Sequence, residues 1–116
     1  MYSWLLAGNN SGKTYMKTQE IIIARIYLHE AKADMEPLLK LLHDESKVKG
    51  VTVFRGITGF GNSGKYHSSS LMDMSLDLPV VIEFFDEAEK MNTIIETLNK
   101  KIKPGHMIFW SAQTNI

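Results

Sequence analysis

The 116-residue chain fits a single domain, and its 44% hydrophobic share is enough for one modest core. Thirteen basic residues balance thirteen acidic ones, which argues against a nucleic-acid-binding protein, since a duplex-binding domain usually carries a net basic face. The absence of cysteine excludes disulfides, thiolate zinc sites and a cysteine nucleophile, and it fits a reducing, cytoplasmic setting.

Residues 1–19 read as a flexible N-terminal extension and residues 20–116 as the folded domain. The stretch Gly8-Asn9-Asn10-Ser11-Gly12-Lys13 is polar and turn-prone, with nothing periodic around it. The N-terminus has no basic region ahead of its one short apolar run, Trp4 to Ala7, so it is not a secretory signal. The apolar run at Ile21-Ile22-Ile23-Ala24 stops at Arg25, far short of a membrane span, and the protein is not expected to be membrane-embedded.

Glu20 to His29 reads as a strand, with apolar residues in both alternating sets, so both of its faces are expected to be covered. Residues 35–48 read as a helix on the stripe Met35, Leu38, Leu39 and Leu42, with Asp34 as N-cap, Pro37 in the first turn and Gly50 closing it. Val51 to Ile57 is a second strand, followed by the glycine-rich segment Thr58 to His67. Met72, Met74, Leu76 and Leu78 alternate with polar residues, which predicts an extended segment.

After Pro79, Val80 to Phe85 predicts a third strand. Asp86 with Glu89 resembles a capping box, and the stripe Met91, Ile94, Ile95, Leu98 and Ile102 predicts a second helix ending at Pro104-Gly105. Met107 to Trp110 is a last strand. The order strand, helix, strand, strand, helix, strand is the split βαβ pattern of an α+β, ferredoxin-like sandwich: an antiparallel sheet with two helices on one face. No third helix is available to cover the second apolar face, and a homo-oligomer is the economical cover. Ile22, Ile26, Val81 and Phe85, or their alternates, are the candidates to line it.

Two glycine patterns lack the context their chemistry needs. Ala7 with Gly12-Lys13-Thr14 matches a permissive phosphate-loop spacing, but the segment after it leads into a strand rather than a helix. Gly59-Phe60-Gly61-Asn62-Ser63-Gly64 spells G-x-G-x-x-G after a strand, yet the next residues, Lys65 to Ser70, do not open a helix to carry a pyrophosphate. The remaining reading is a long loop whose glycines let the backbone approach a ligand. No nucleophile, general base or closed metal set emerges, so a regulatory role is favoured over an enzyme. Glu83 is a lone carboxylate between apolar neighbours, either a ligand group or an edge residue, since a buried carboxylate needs a partner.

Gly50-Val51-Thr52-Val53 and Gly59-Phe60-Gly61-Asn62-Ser63-Gly64 resemble the second strand and T-loop start of PII signalling proteins. Leu78-Pro79 with Ile82-Glu83 resembles that family's third strand, and Ile102-Lys103-Pro104-Gly105-His106 sits where the family has its B-loop. The segments Arg25 to Glu30 and Val53 to Gly61 resemble more closely a PII-like branch, the domain of unknown function 190 family.

The resemblance covers about residues 20–110 and implies a cytoplasmic homotrimer of nitrogen-regulatory type. Such a protein binds a small nucleotide, an adenine nucleotide in PII itself, or an anionic metabolite between subunits. It signals to a membrane transporter or an enzyme through the loop. The ligand-binding positions it implies are Thr52, Gly59, Gly61, Ser63, Glu83, Gly105 and His106. His106 replaces the B-loop lysine, Lys103-Pro104 replace glycine and aspartate, and the phosphate-gripping arginine pair has no counterpart up to Ile116. These departures point to a nucleotide with fewer phosphates than ATP, or to another small anion. An alternative within the same architecture is a metal-responsive trimer like the divalent-ion tolerance proteins, with His29, Glu30, His67 and His106 as ligands.

Residues 1–15 carry no apolar pattern to offset an ordering cost of roughly 1–2 kcal/mol per residue. Removing them is expected to leave the melting temperature unchanged; a large fall would contradict this reading.

Overall fold

A computed structural model describes residues 16–28, 31–59 and 79–116. Strand β1 (Thr18–Leu28) leads to helix α1 (Ala31–Lys40), which runs into a π-helical turn at Leu41–Glu45. Strands β2 (Gly50–Arg55) and β3 (Val80–Glu87) follow, then helix α2 (Ala88–Asn99) and strand β4 (Met107–Asn115). The four strands form one sheet in the order β2-β3-β1-β4, and every neighbouring pair is antiparallel. This is the ferredoxin-like arrangement, with the two most apolar strands at its centre.

The registers assign the two faces. Ile22, Ala24 and Ile26 of β1 lie beside Asp86, Phe84 and Ile82 of β3 and are buried. They form one core with Leu38 and Leu42 from the first helical segment and Met91, Ile94 and Leu98 from α2. The opposite face carries Ile21, Ile23, Arg25 and Tyr27 of β1 beside Glu87, Phe85, Glu83 and Val81 of β3. Of the expected outer-face set, Val81 and Phe85 hold, whereas Ile22 and Ile26 point toward the helices. The register Ile26↔Ile82 fixes this, because a strand alternates its side chains strictly.

Helix α1 begins four residues earlier than expected. Asp34 is therefore inside it rather than at its cap, and Pro37 is its seventh residue, where the ring removes an intrahelical hydrogen bond. Ala31 and Ala33, strong helix formers, account for the earlier start. The helix then widens: Ser46 N–H donates to Leu41 O at 2.9 Å, five residues back. Lys47, at φ 51°, supplies the left-handed closing residue that Gly50 was expected to supply. Gly50 instead opens β2 against an aromatic ring, where a Cβ would lie 2.6 Å from Phe85 Cε2. Its missing side chain makes room for Phe85 on the helix-free face.

The capping box does not form. Glu87 occupies the N-cap position of α2 and makes no side-chain cap bond. Asp86 is one residue too early and turns inward, only 3% exposed. Its carboxylate accepts Glu87 N–H at 2.7 Å and Lys49 N–H at 3.0 Å, and pairs with Lys90 Nζ at 3.0 Å. Lys90 also donates to Lys47 O at 2.8 Å. One buried carboxylate thereby joins the β3–α2 corner to the entry of β2. Strand β4 runs five residues past its expected end, pairing as far as Asn115 with Thr18. Its polar tail, Ser111 to Asn115, carries no alternation because it lies on a sheet edge. The same pairing starts β1 at Thr18, two residues ahead of the expected boundary at 20.

Burial works against the charged form of Asp86, but its hydrogen bonds to Glu87 and Lys90 and the Lys90 charge outweigh it, holding the carboxyl below the usual Asp range. A lowered folded value means stabilisation that is complete above the unfolded value, about 3.9, and is lost as pH falls through the folded value. Asp86→Asn is expected to cost about 2 kcal/mol at pH 7. Urea melts of both proteins should show that gap shrinking below about pH 4; a gap constant down to pH 2 would contradict the assignment.

Candidate functional site

The helix-free face is largely apolar, with the Arg25–Glu83 charges across its middle and the Gln19–Glu87 hydrogen bond, 3.0 Å, at one end. On one side lie Phe54, Val81 and Tyr27, and on the other Gly50, Phe85, Ile23 and Trp110. Between them runs the row Thr52–Glu83–Arg25–Ile108, each residue directly opposite the next on neighbouring strands. Tyr27, Phe54, Ile108 and Trp110 are exposed although no charge of their own keeps them in water.

Arg25 and Glu83 form an ion pair at the centre of this face, with Nε 2.7 Å from Oε1. The guanidinium carbon lies 5.7 Å from the ring centroids of both Phe54 and Trp110, within cation–π range. The hydrogen bond to Glu83, and then that to Tyr27, push the arginine further above its already high value, so it stays charged. With side chains 38% and 24% exposed, the pair is worth ~0–1 kcal/mol while water reaches it. Covering the face removes that screening, and loss of either partner would then strand a buried charge.

This pair resolves the unpartnered carboxylate of the sequence: Glu83 is held by Arg25. The strands align Thr52 directly opposite Glu83, so these two expected ligand positions adjoin. Arg25, Tyr27, Phe54 and Trp110 were not among the expected site residues. The available signal was an arginine set between Ala24 and Ile26 in an apolar strand, a charge in need of a partner.

Gly59, Gly105 and His106 lie at the end of the sheet where β1 finishes and β3 begins. Gly56 N–H donates to Pro79 O at 2.7 Å, closing the base of the segment that joins β2 to β3. Gly59 lies beside the same proline, where a Cβ would sit 3.3 Å from Pro79 Cγ. Gly105, at φ 84°, turns the chain before β4, a conformation that favours glycine. His106 O accepts Tyr27 N–H at 2.8 Å, and its Nδ1 is 3.3 Å from Pro104 O.

Gly59 follows β2 and packs beside Pro79 at the start of β3, whereas His106 precedes β4 and is bonded to Tyr27 of β1. Gly61 and Ser63 lie outside the described residues, as do His29, Glu30 and His67. Among the described residues, no group of three His, Asp or Glu is placed to hold a metal ion. Among them, too, no helix is long and apolar enough to cross a membrane.

A βαββαβ sheet with this one-sided helix cover is the architecture of PII-like proteins. CPII, a nitrogen regulatory PII-like protein from Thiomonas intermedia K12 solved bound to ADP and bicarbonate, superimposes with a TM-score of 0.63. It is 20% identical, and the match covers 88% of this chain and 93% of that one. A chain from Thermus thermophilus, described as PII-like signaling, matches with a TM-score of 0.53 at 18% identity, over 87% of this chain and 93% of its own. A UPF0166 protein of Aquifex aeolicus is 30% identical over 88 residues, which span 76% of this chain and 90% of that relative. The DUF190 family model, Uncharacterized ACR, matches residues 21–114, and the chain belongs to that family.

A side chain at Gly56 would meet Pro79, with a Cβ 2.9 Å from its Cγ and 3.3 Å from its backbone oxygen. Gly56→Val is expected to break the 2.7 Å bond at the loop base and cost about 1–3 kcal/mol. Hydrogen exchange at the residue-56 amide should rise sharply while β1 amides keep their protection; unchanged exchange would contradict this account of the loop base.

Proposed function

We propose that this protein is a cytoplasmic, homotrimeric PII-like regulator that binds an adenine nucleotide, with a small anion such as bicarbonate, between its subunits. Its role is to report ligand occupancy to a membrane transporter or enzyme through the glycine-rich segment that starts at Gly59. The observation that carries this reading is the helix-free face, whose exposed aromatic and aliphatic side chains surround the Arg25–Glu83 ion pair. Covering such side chains is worth roughly 1.5–3 kcal/mol each, enough to hold an assembly together.

The edge positions of β2 and β4 support a shared site: β2 leads into the Gly59 segment and β4 follows His106, and adjacent subunits can bring the β2 edge of one beside the β4 edge of the next. Thr52 and Glu83, with Gly59, Gly61 and Ser63, would come from one subunit, and Gly105 and His106 from its neighbour. The ADP and bicarbonate of CPII support the ligand class, since that protein shares the fold. Lys103-Pro104 and His106, standing where PII has its B-loop glycine, aspartate and lysine, favour a nucleotide with fewer phosphates than ATP.

Isothermal titration calorimetry with AMP, ADP and ATP, each with and without bicarbonate, tests this. Binding of AMP or ADP is expected, tighter than ATP, and weakened about tenfold or more by His106→Ala if that residue loses a charge-assisted bond. No heat from any of the three at millimolar ligand would overturn the nucleotide assignment.

A further inference from the structure

The apolar residues of the helix-free face drive association without direction, because the hydrophobic effect follows area rather than orientation. Several ways of laying one such face on another bury similar area, so something must choose among them. Among the described residues, the ion pair at the centre of this face is the feature best able to choose: Arg25–Glu83, set between Phe54 and Trp110 with Thr52 beside it, while the Gln19–Glu87 hydrogen bond lies at the far end.

A guanidinium has five N–H donors and a carboxylate about four acceptor sites. The Nε–Oε1 bond at 2.7 Å and the contact to Tyr27 use part of that capacity. In a free chain water fills the rest, since the two side chains are 38% and 24% exposed. Against a second apolar face water is excluded, and the unfilled groups must be met by that face or remain at a cost. Positions 25 and 83 are direct cross-strand neighbours, so a facing copy presents the same two charges at the same spacing. Docking that sets Arg25 against the facing Glu83 fills both; docking that sets like against like is repulsive.

We propose that Arg25 and Glu83 are the register key of self-association, each completing the hydrogen bonding of the other across the interface between copies. The inference rests on the assembly reading above and adds what selects its geometry. By the same logic the key excludes other proteins, because an apolar partner without matching charges would leave this pair desolvated and incomplete.

The test exchanges the charges. Arg25→Glu/Glu83→Arg keeps an ion pair within each chain but inverts the pattern shown to a neighbour. Wild type and this double variant, distinguished by mass, are co-expressed and examined by native mass spectrometry. If the key operates between copies, each chain assembles with its own kind, and mixed oligomers fall about tenfold or more below random expectation, because like charges then meet across the interface. Oligomers that mix at random would show that the pair acts only within its own chain and would overturn the inference while leaving the assembly reading intact. A monomeric wild type would overturn both. If the exchanged variant does not fold, Arg25→Gln/Glu83→Gln takes its place. Neutralising the key is expected to give more than one oligomer size, and retention of the single wild-type size would overturn the inference.

Discussion

Strands β1 and β3 are apolar on both faces, and the described residues cover only one. Ile22, Ala24, Ile26, Ile82 and Phe84 meet the two helical segments and are buried. Ile23, Val81, Phe85, Phe54 and Trp110 lie on the other side of the same sheet. A sheet with one solvated face alternates apolar with polar residues; here the solvated set is nearly as apolar as the buried one. This imbalance is what makes assembly, a shared ligand site and a charge key at the centre of the face parts of one account.

The connections place chemistry at the end of this sheet. The antiparallel order β2-β3-β1-β4 sends the Gly56–Pro79 loop base, at the start of β3, and the Gly105–His106 turn, bonded to the end of β1, to the same end of the sheet. A ligand site shared between chains at this end would couple occupancy to subunit contacts. Asp86 supports this geometry from the far end by tying the start of β2 to the β3–α2 corner. It aligns β2 on β3, and with it Thr52 on Glu83.

Much of the fold was legible because it rests on periodicity. The apolar stripes at Leu38 and Leu42 and at Met91, Ile94 and Leu98 marked the helical faces, and the isoleucine and valine runs marked the central strands. What could not be read were features decided by contacts distant in sequence. Asp86 looked like a cap because Asp before an apolar stripe usually is one, but its partner Lys49 lies 37 residues away. Gly50 reads as a helix terminator, but it opens β2 with Phe85 packed against it. The end of β4 carries no alternation at all and follows its pairing with β1. At the site, the resemblance to PII proteins singles out Thr52 and Glu83, which the register sets directly opposite each other. The role of Arg25 follows only from the strand beside β1, which sets Glu83 opposite it.

The central claim is that the helix-free face is covered by further copies of the chain. Sedimentation equilibrium at micromolar concentration, without added ligand, tests it most directly. The account predicts a single species of three times the 13.2 kDa chain mass, persisting on dilution because the apolar contacts do not depend on nucleotide. A monomer of 13.2 kDa under those conditions would contradict it.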